Sequence, residues 1–367
     1  MFSLAGRVAK SNLDGWSLEE RDCTPSLPAR LRSLTQRGGK SIIASVPGPC
    51  RRLIPPYESS RVPIIRHLEQ LPAAARGGAM AIGNFDGVHL GHRRIVERLL
   101  ERAREVDGPA VVFTFDPHPV RLLRPSESPP PLTWTERKAK LLKDLDVDWI
   151  VAYPTDLRLL ELTAQQFFDQ IVVGAIGARA MVEGPNFYFG HNREGTIERL
   201  GEMTCAAGMT LDIVRPVELG GQLVSSSLIR RLISEGDVAM AATMLTEPYR
   251  IRGMVTHGAG RGAMIGFPTA NLEAIDTLLP AFGVYAGQVP LGGKPVAAAI
   301  NIGPNPTFGE HALKVEVHLI DRVESLYGEP LEVEFLSKLR DVRAFGSKDE
   351  LVAQLREDVG RAREIAG

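Results

Sequence analysis

Apolar residues recur along this chain in two rhythms, and the change from one to the other divides it. From residue 63 onward, short apolar runs alternate with stretches of helical period. AMAIGN (79–84) runs straight into a glycine turn, and GHRRIVERLLERARE (91–105) sets Ile95, Leu99 and Ala103 at helical spacing with Val96 and Leu100 beside them. AVVFTF (110–115) reads as a buried strand, TERKAKLLKDL (135–145) as a helix and DWIVAY (148–153) as another strand. A helix near 163–173, a strand at 178–183, a helix around 195–206 and a strand at 211–216 continue the series. Alternation of this kind predicts βαβ units around a parallel sheet. Ser225–Gly236 and Asp237–Leu245 read as two short helices that serve as a joint.

After about Pro248 the long helices stop. Residues 249–258, 283–291, 295–303, 313–321 and 331–339 read as strands separated by turns. In LKVEVHLID (313–321), Leu313, Val315, Val317 and Leu319 share one face, and Lys314, Glu316 and His318 the other. One helix over Lys348–Ile365 closes the chain. This half predicts a small antiparallel barrel or sandwich. The fold class is therefore α/β over 63–245, then all-β over 246–367. Residues 1–62 follow neither rhythm: PSLPAR, RGGK, PGP and IPPY break any period, and ten Lys/Arg stand against five acids. They read as a disordered or wrongly translated extension.

Composition narrows the function classes. Apolar residues make up 44% and charged residues 24%, with 43 Lys+Arg against 44 Asp+Glu for a net charge of −1. Near balance argues against nucleic acid or a membrane surface as partner. The longest apolar candidate for a bilayer span, Ile171–Val182, is cut by Arg179. Cys23, Cys50 and Cys205 have no metal-ligand spacing and suggest no disulfide framework, so a cytoplasmic protein is expected. Oligomeric state is not legible.

The sharpest local pattern is IGNFDGVHLGH (82–92). A strand delivers the chain to a glycine-bounded turn, and His89-x-Gly91-His92 opens a helix. Two imidazoles three residues apart share a face, and the helix N-terminus offers free N–H groups to an anion such as a triphosphate. Gly91 leaves room for close approach, and a histidine pair can add positive charge as the anion binds. The alternative is that the histidines only cap and pack. Asn186, in GPNFYFGHNREG (184–195), either holds a phosphate or ring edge or stabilises the turn after Pro185. Phe187, Tyr188 and Phe189 offer rings that could stack on a planar ligand, of which only one or two would reach it. Ser225, Ser226 and Ser227 can cap a helix and bind phosphate together. Arg230, one turn on, either neutralises phosphate or lies on a solvated face, a role that suits Arg231 better. His118 sits in a rigid loop between prolines.

HGAGRGAMIGFPTANLE (257–273) is the counterpart in the second half. Gly258, Gly260 and Gly262 form a flexible loop whose N–H groups can lie against phosphates. Thr269 and Asn271 present hard oxygens suited to Mg²⁺, against the plainer reading of a strand-end turn held by an asparagine.

Together these strings resemble the bacterial bifunctional riboflavin kinase/FMN adenylyltransferase (FAD synthetase) family. GNFDGVHLGH (83–92) is similar to its nucleotidyltransferase signature, FTFDPHP (113–119) to its Phe-x-Pro-His-Pro stretch, and VSSSLIR (224–230) to its Ser-Ser-(Ser/Thr)-x-Ile-Arg. PTAN resembles its kinase motif and NIGPNPTFG (301–309) the segment before the strand carrying Glu316. The likeness runs from about Pro63 to Ala366.

It implies a Rossmann-like nucleotidyltransferase domain followed by a small antiparallel β-barrel riboflavin kinase domain with a C-terminal helix. It implies riboflavin, FMN and ATP as substrates, Mg²⁺ with the ATP, and FMN and FAD as products. By the same resemblance, Gly83, Asn84, Phe85, Asp86 and Gly91 border the nucleotide. His89, His92 and Arg230 stabilise the leaving pyrophosphate, Pro268 and Tyr285 belong to the second pocket, and Glu316 is the base for the ribityl hydroxyl. Asn186 stands where many members have Asp, and Thr246-Glu247-Pro248-Tyr249 where Gly-Arg-Pro-Tyr is common. Three alternatives share parts of the pattern. They are a class I aminoacyl-tRNA synthetase, which lacks its lysine-rich loop here, a member with one active half, and a non-catalytic flavin-binding regulator.

Overall fold

The computed structural model describes residues 64–258, 260–305, 307, 310–322 and 325–367. The expectations for 1–62, including Cys23 and Cys50, and for part of the NPTFG segment fall outside these residues. In chain order the first half runs β1 (Ile64–Ile65), β2 (Ala79–Ile82), α1 (Leu90–Glu105), β3 (Ala110–Asp116), α2 (Pro119–Leu123), α3 (Thr135–Asp144), β4 (Trp149–Pro154), α4 (Leu157–Glu161), α5 (Ala164–Phe167), β5 (Ala180–Glu183), α6 (Ile197–Ala206) and β6 (Thr210–Ile213). Helix α5 passes directly into a π-helical stretch, Phe168–Ile176, so the one helix expected near 163–173 is two windings.

The six strands form one parallel sheet in the order β1-β4-β3-β2-β5-β6. All four residues of β2 and of β5 are buried, the continuous apolar run that a strand covered on both faces requires. Met80, Ile82, Val111, Phe113 and Val151 pack on one side, with Phe167 and Phe168. Ala79, Ala81, Val112 and Ile150 pack on the other, against Val96 and Leu99 of α1. The chain moves outward from β2 through β3 to β4, then returns to β5 on the far side of β2. The order therefore reverses between β2 and β5, the place where open α/β sheets hold ligands. The strands part there. Pairing stops at Met80↔Met181, and the Ile82 N–H donates instead to the Glu183 carboxyl at 2.8 Å.

The second half begins with a hairpin of β7 (Glu218–Leu219) and β8 (Gln222–Leu223), followed by α7 (Ser226–Glu235) and α8 (Val238–Met244). Then come β9 (Arg250–Thr256), α9 (Arg261–Met264), β10 (Ala270–Glu273), β11 (Gly283–Leu291), β12 (Lys294–Asn305), β13 (Glu310–Leu319), β14 (Pro330–Arg340) and α10 (Lys348–Ala366). The strands close into an antiparallel barrel in the order β10-β13-β12-β11-β14-β9. Strand β10 is a strand that periodicity missed. Ala270 and Asn271 pair into the barrel rather than ending in a turn, because Asn271 lies between Thr256 and Glu316. The glycine segment likewise holds a helical turn, α9.

Barrel interior residues such as Tyr285, Ile300, Val317 and Phe335 form one apolar cluster with Ile229, Leu232 and Ile233 of α7 and Val238 and Met244 of α8. Leu313 departs from the expected inward face and is 51% exposed. Outside the barrel, Val284 and Ala286 pack against Ala362 of α10. That helix is latched by Asp358, 1% exposed, which accepts from Arg340 of β14 at 3.0 and 2.7 Å through one oxygen. Removing one member of a buried pair strands the other charge. Asp358→Ala is therefore expected to cost about 3 kcal/mol, read as a fall in thermal unfolding midpoint. An unchanged midpoint would show that the latch carries no stability.

Candidate active sites

Two sites emerge, one at the carboxyl edge of the parallel sheet and one outside the barrel. The first is built on the turn 83–89. After β2, the Gly83 N–H donates to the Phe113 carbonyl at 3.0 Å, and the chain then passes through left-handed backbone at Phe85 (φ 46°), Gly87 (φ 84°) and Val88 (φ 41°). For a β-branched valine this conformation is costly, and its surroundings must hold it. Asp86 does much of this. Its carboxylate accepts from the backbone of Leu132 (3.0 Å) and of Thr133 (3.1 Å) and from the Thr133 hydroxyl (3.2 Å), and it is paired with Arg230. Thr246 donates its hydroxyl to the Val88 carbonyl at 2.8 Å, so the joint after α8 holds the turn from below.

The turn ends in a reciprocal cap. The Nδ1 atom of His89 accepts from the His92 backbone and the Nδ1 atom of His92 accepts from the His89 backbone, each at 3.3 Å. The rings stack at 3.6 Å. Gly91 provides space for that stack, since a Cβ there would stand 3.0 Å from the His89 ring. Both Nδ1 atoms act as acceptors, so each neutral ring carries its proton on Nε2. Burial lowers the pKa of His89 to about 4 and pushes that of His92 well below the usual range, where the neighbouring His89 and Lys138 lower it further. The two capping histidines therefore stand as neutral donors in this geometry.

The other sequence motifs meet this turn. The Ser225 hydroxyl caps α7 by accepting from the Leu228 N–H at 3.3 Å, and the Ser226 hydroxyl donates to the Asp86 carbonyl at 2.8 Å. Ser227 is exposed. Arg230 is not on a solvated face: it is bound to Asp86 and to the Pro130 carbonyl, while Arg231 is exposed. Asp86 and the Phe85 ring, expected beside the nucleotide, are buried, and the Asp86 carboxylate is bonded within the protein. The Asn84 amide oxygen is buried with no hydrogen-bond partner among the described residues. His118 caps α2, its Nδ1 accepting from the Val120 N–H at 3.1 Å, and burial lowers its pKa. After β5, Asn186 is exposed in its turn, Phe187 stacks on buried Phe189 at 5.5 Å, and Tyr188 points outward under Arg193.

The second site follows from strand register. Thr256, Asn271, Glu316, Asn301, Val284 and Arg340 are successive cross-strand partners on six strands. Facing partners share a side of the sheet, here the outer side that α10 covers. A cavity of about 160 Å³ lies between them, lined also by Gly260, Gly262, Thr269, Lys314, His318 and Leu355. Glu316 is thus half-buried in a cavity wall, and Asn301 reaches toward its carboxylate at 3.5 Å. His318 is fixed by the Pro268 carbonyl at 2.8 Å. Gly258 leaves the Asn271 amide its place, for a Cβ would collide with it. Tyr285 departs from expectation. Alternation turns it inward, fully buried, its hydroxyl donating to the Ala281 carbonyl at 2.6 Å, and Val284 lines the cavity instead.

Periodicity did not single out Lys138, Asn301 or Arg340. Lys138 carried a signal, since it precedes Leu141 and Leu142 by three and four positions on the buried stripe of α3. The other two enter only through pairing with distant strands.

Comparison with known proteins agrees with this geometry. A family model described as FAD synthetase matches residues 71–228, and one described as riboflavin kinase matches residues 245–366. The Escherichia coli (strain K12) protein named bifunctional riboflavin kinase/FMN adenylyltransferase is 36% identical over 306 residues, covering 83% of this chain and 98% of that protein. The Bacillus subtilis (strain 168) protein of the same name is 33% identical over 285 residues, 76% of this chain and 89% of its own. A solved Streptococcus pneumoniae structure, described as a macrolide-efflux protein, aligns with a TM-score of 0.72 at 31% identity, covering 82% of this chain and 98% of that one. Among the described residues, no helix is long and apolar enough to cross a membrane. With both halves matched in order and nearly the whole length of the relatives spanned, the chain belongs to the bifunctional riboflavin kinase/FMN adenylyltransferase family.

Proposed function

We propose that this chain makes both flavin nucleotides, phosphorylating riboflavin to FMN on the outside of its barrel and adenylylating FMN to FAD at the edge of its parallel sheet. The observation that carries the reading is that a family model for each step matches its own half of the chain, FAD synthetase over residues 71–228 and riboflavin kinase over residues 245–366. ATP is co-substrate in both.

In the kinase step the ribityl 5′-oxygen bonds to the γ-phosphorus of ATP, the bond from that phosphorus to the β-phosphate oxygen breaks, and ADP leaves. Glu316 accepts the hydroxyl proton, and Asn301 orients its carboxylate. The donors present fit Mg²⁺: Thr269 and Asn271 supply oxygens on the cavity wall, and the Thr256 hydroxyl in the same cross-strand row is buried with no partner among the described residues. Thr269 and Asn271 would hold the ion, which when bound neutralises phosphate charge. The wall of α10 excludes water from the flavin.

In the second step an FMN phosphate oxygen bonds to the α-phosphorus of ATP and pyrophosphate leaves. The attacking group is already an anion, so no protein base is required. The Nε2–H groups of His89 and His92, with Arg230 and the N-terminal N–H groups of α1, donate to the charge that gathers on the leaving group. Asn84, Asn186 and Ser227 border the nucleotide and flavin. A cytoplasmic site of action, with no role for nucleic acid or lipid, accompanies this reading.

The two sites are separable by mutation. His92→Ala should abolish FAD formation and leave FMN formation intact, whereas Glu316→Gln should abolish FMN formation and leave FAD formation from supplied FMN. A chromatographic time course reads both. Equal damage to both steps by either variant would mean that the sites are not separate.

The histidine cap also predicts a pH dependence of stability. His89 titrates near 4 when folded and near 6.5 when unfolded, so the unfolded chain binds the proton more readily. The stabilisation is whole above pH 6.5 and is lost as pH falls from there toward 4. His89→Asn keeps an acceptor at the cap and should flatten this part of the profile of unfolding temperature. A variant profile as steep as that of the native chain would assign the dependence to other groups.

A further inference from the structure

Helix α3 sends two consecutive buried cations to opposite sides. Arg137 faces the barrel, 3.9 Å from Glu334 of β14. Lys138 faces the turn 83–89. Its Nζ donates to the Thr114 hydroxyl at 3.4 Å, and that hydroxyl, 1% exposed, donates to the Asn84 carbonyl at 3.1 Å. Among the described residues Thr114 is the only hydrogen-bond acceptor that Lys138 has. An ammonium carries three donors, and burial disfavours its charge unless a partner compensates.

The carboxylates that could compensate are already engaged. Asp86 is bound by Arg230 and by the backbone of residues 132 and 133. Asp116, at the end of β3, is bound by Arg66 at 2.7 Å. Glu136 touches Arg66 only from the exposed rim, at 3.4 Å. The remaining titratable neighbours, His89, His92 and His118, bring no negative charge. Leu141 and Leu142 on the same face of α3 show that an apolar residue fits this side of the helix. The buried ammonium thus bonds no carboxylate: Asp86 and Asp116 attract it only from a distance, each already bound by an arginine, and it lies next to the turn that opens the adenylyl-transfer site.

We propose that Lys138 is a positioning residue of adenylyl transfer: through Thr114 it sets the Asn84 end of the turn, and its ammonium meets a directly bonded anion only when the phosphate chain of ATP binds. This inference rests on the adenylyl-transfer reading of the first site. Its field also opposes protonation of His92 and His118, so that both rings remain neutral donors while the site waits for an anion.

The test uses Lys138→Met and Lys138→Gln in the full chain. Unfolding temperature, riboflavin phosphorylation and FMN adenylylation are measured between about pH 5 and 9. Adenylylation kcat/KM should fall roughly 100-fold, with phosphorylation unchanged. The unfolding temperature should hold or rise, since a buried charge that no carboxylate bonds has been removed. Without the ammonium, His92 takes a proton more readily, and the acid limb of adenylylation should move up by roughly half a pH unit or more. Undiminished adenylylation overturns the proposal. So does a loss with the acid limb unmoved, which is a packing effect, or a joint collapse of both activities and of the unfolding temperature in both variants, which makes the residue structural. If the native chain itself forms no FAD from supplied FMN, the adenylyl-transfer reading fails, an outcome distinct from any in the variants.

Discussion

The first site depends on one buried carboxylate. Asp86 gathers donors from residues 132 and 133 and the guanidinium of Arg230, while its own carbonyl takes the Ser226 hydroxyl. These partners come from segments more than 40 and more than 130 residues away in the chain. Without them, nothing local would keep Phe85 and Val88 in left-handed backbone. With them, the turn brings His89 to the start of α1 at the angle its cap requires. The geometry of the histidines is therefore a tertiary property, although the residues that show it are contiguous.

That contrast explains what could be read in the sequence. Glycine-bounded strings such as GNFDGVHLGH and PTAN are legible because each concentrates its chemistry within a few residues, and their order resembled a known family. Alternation in LKVEVHLID placed Glu316 and His318 on one side, but could not say that α10 covers that side and makes it a cavity wall. Strand β10 was illegible because Ala270, Asn271 and Glu273 are poor strand formers, held in place by neighbouring strands on its two edges. Tyr285 was misplaced for a related reason: a bulge-bearing strand shows its faces only once its partners are known. The role of Arg230 was ambiguous until Asp86 was seen beside it.

Under the proposed function the two sites hold polyphosphate by different means. At the sheet edge, backbone N–H groups, neutral imidazoles and guanidinium converge where the strand order reverses. Outside the barrel, six strands each contribute one side chain at the same level, and a helix closes over them. In the first, precision comes from a strained turn. In the second, it comes from the rigidity of a closed sheet, with Arg340 and Asp358 fixing the lid helix to the wall.

The apolar cluster shared by the barrel and by α7 and α8 has a consequence for how separable the two modules are. Helix α7 carries Ser225, Ser226 and Arg230 toward one site, while Ile229, Leu232 and Ile233 on its other side fill the core beneath the second. A chain broken between these helices and β9 would leave a greasy seam on both fragments. Separation of the two modules, easy where they merely sit in tandem, is here opposed by packing.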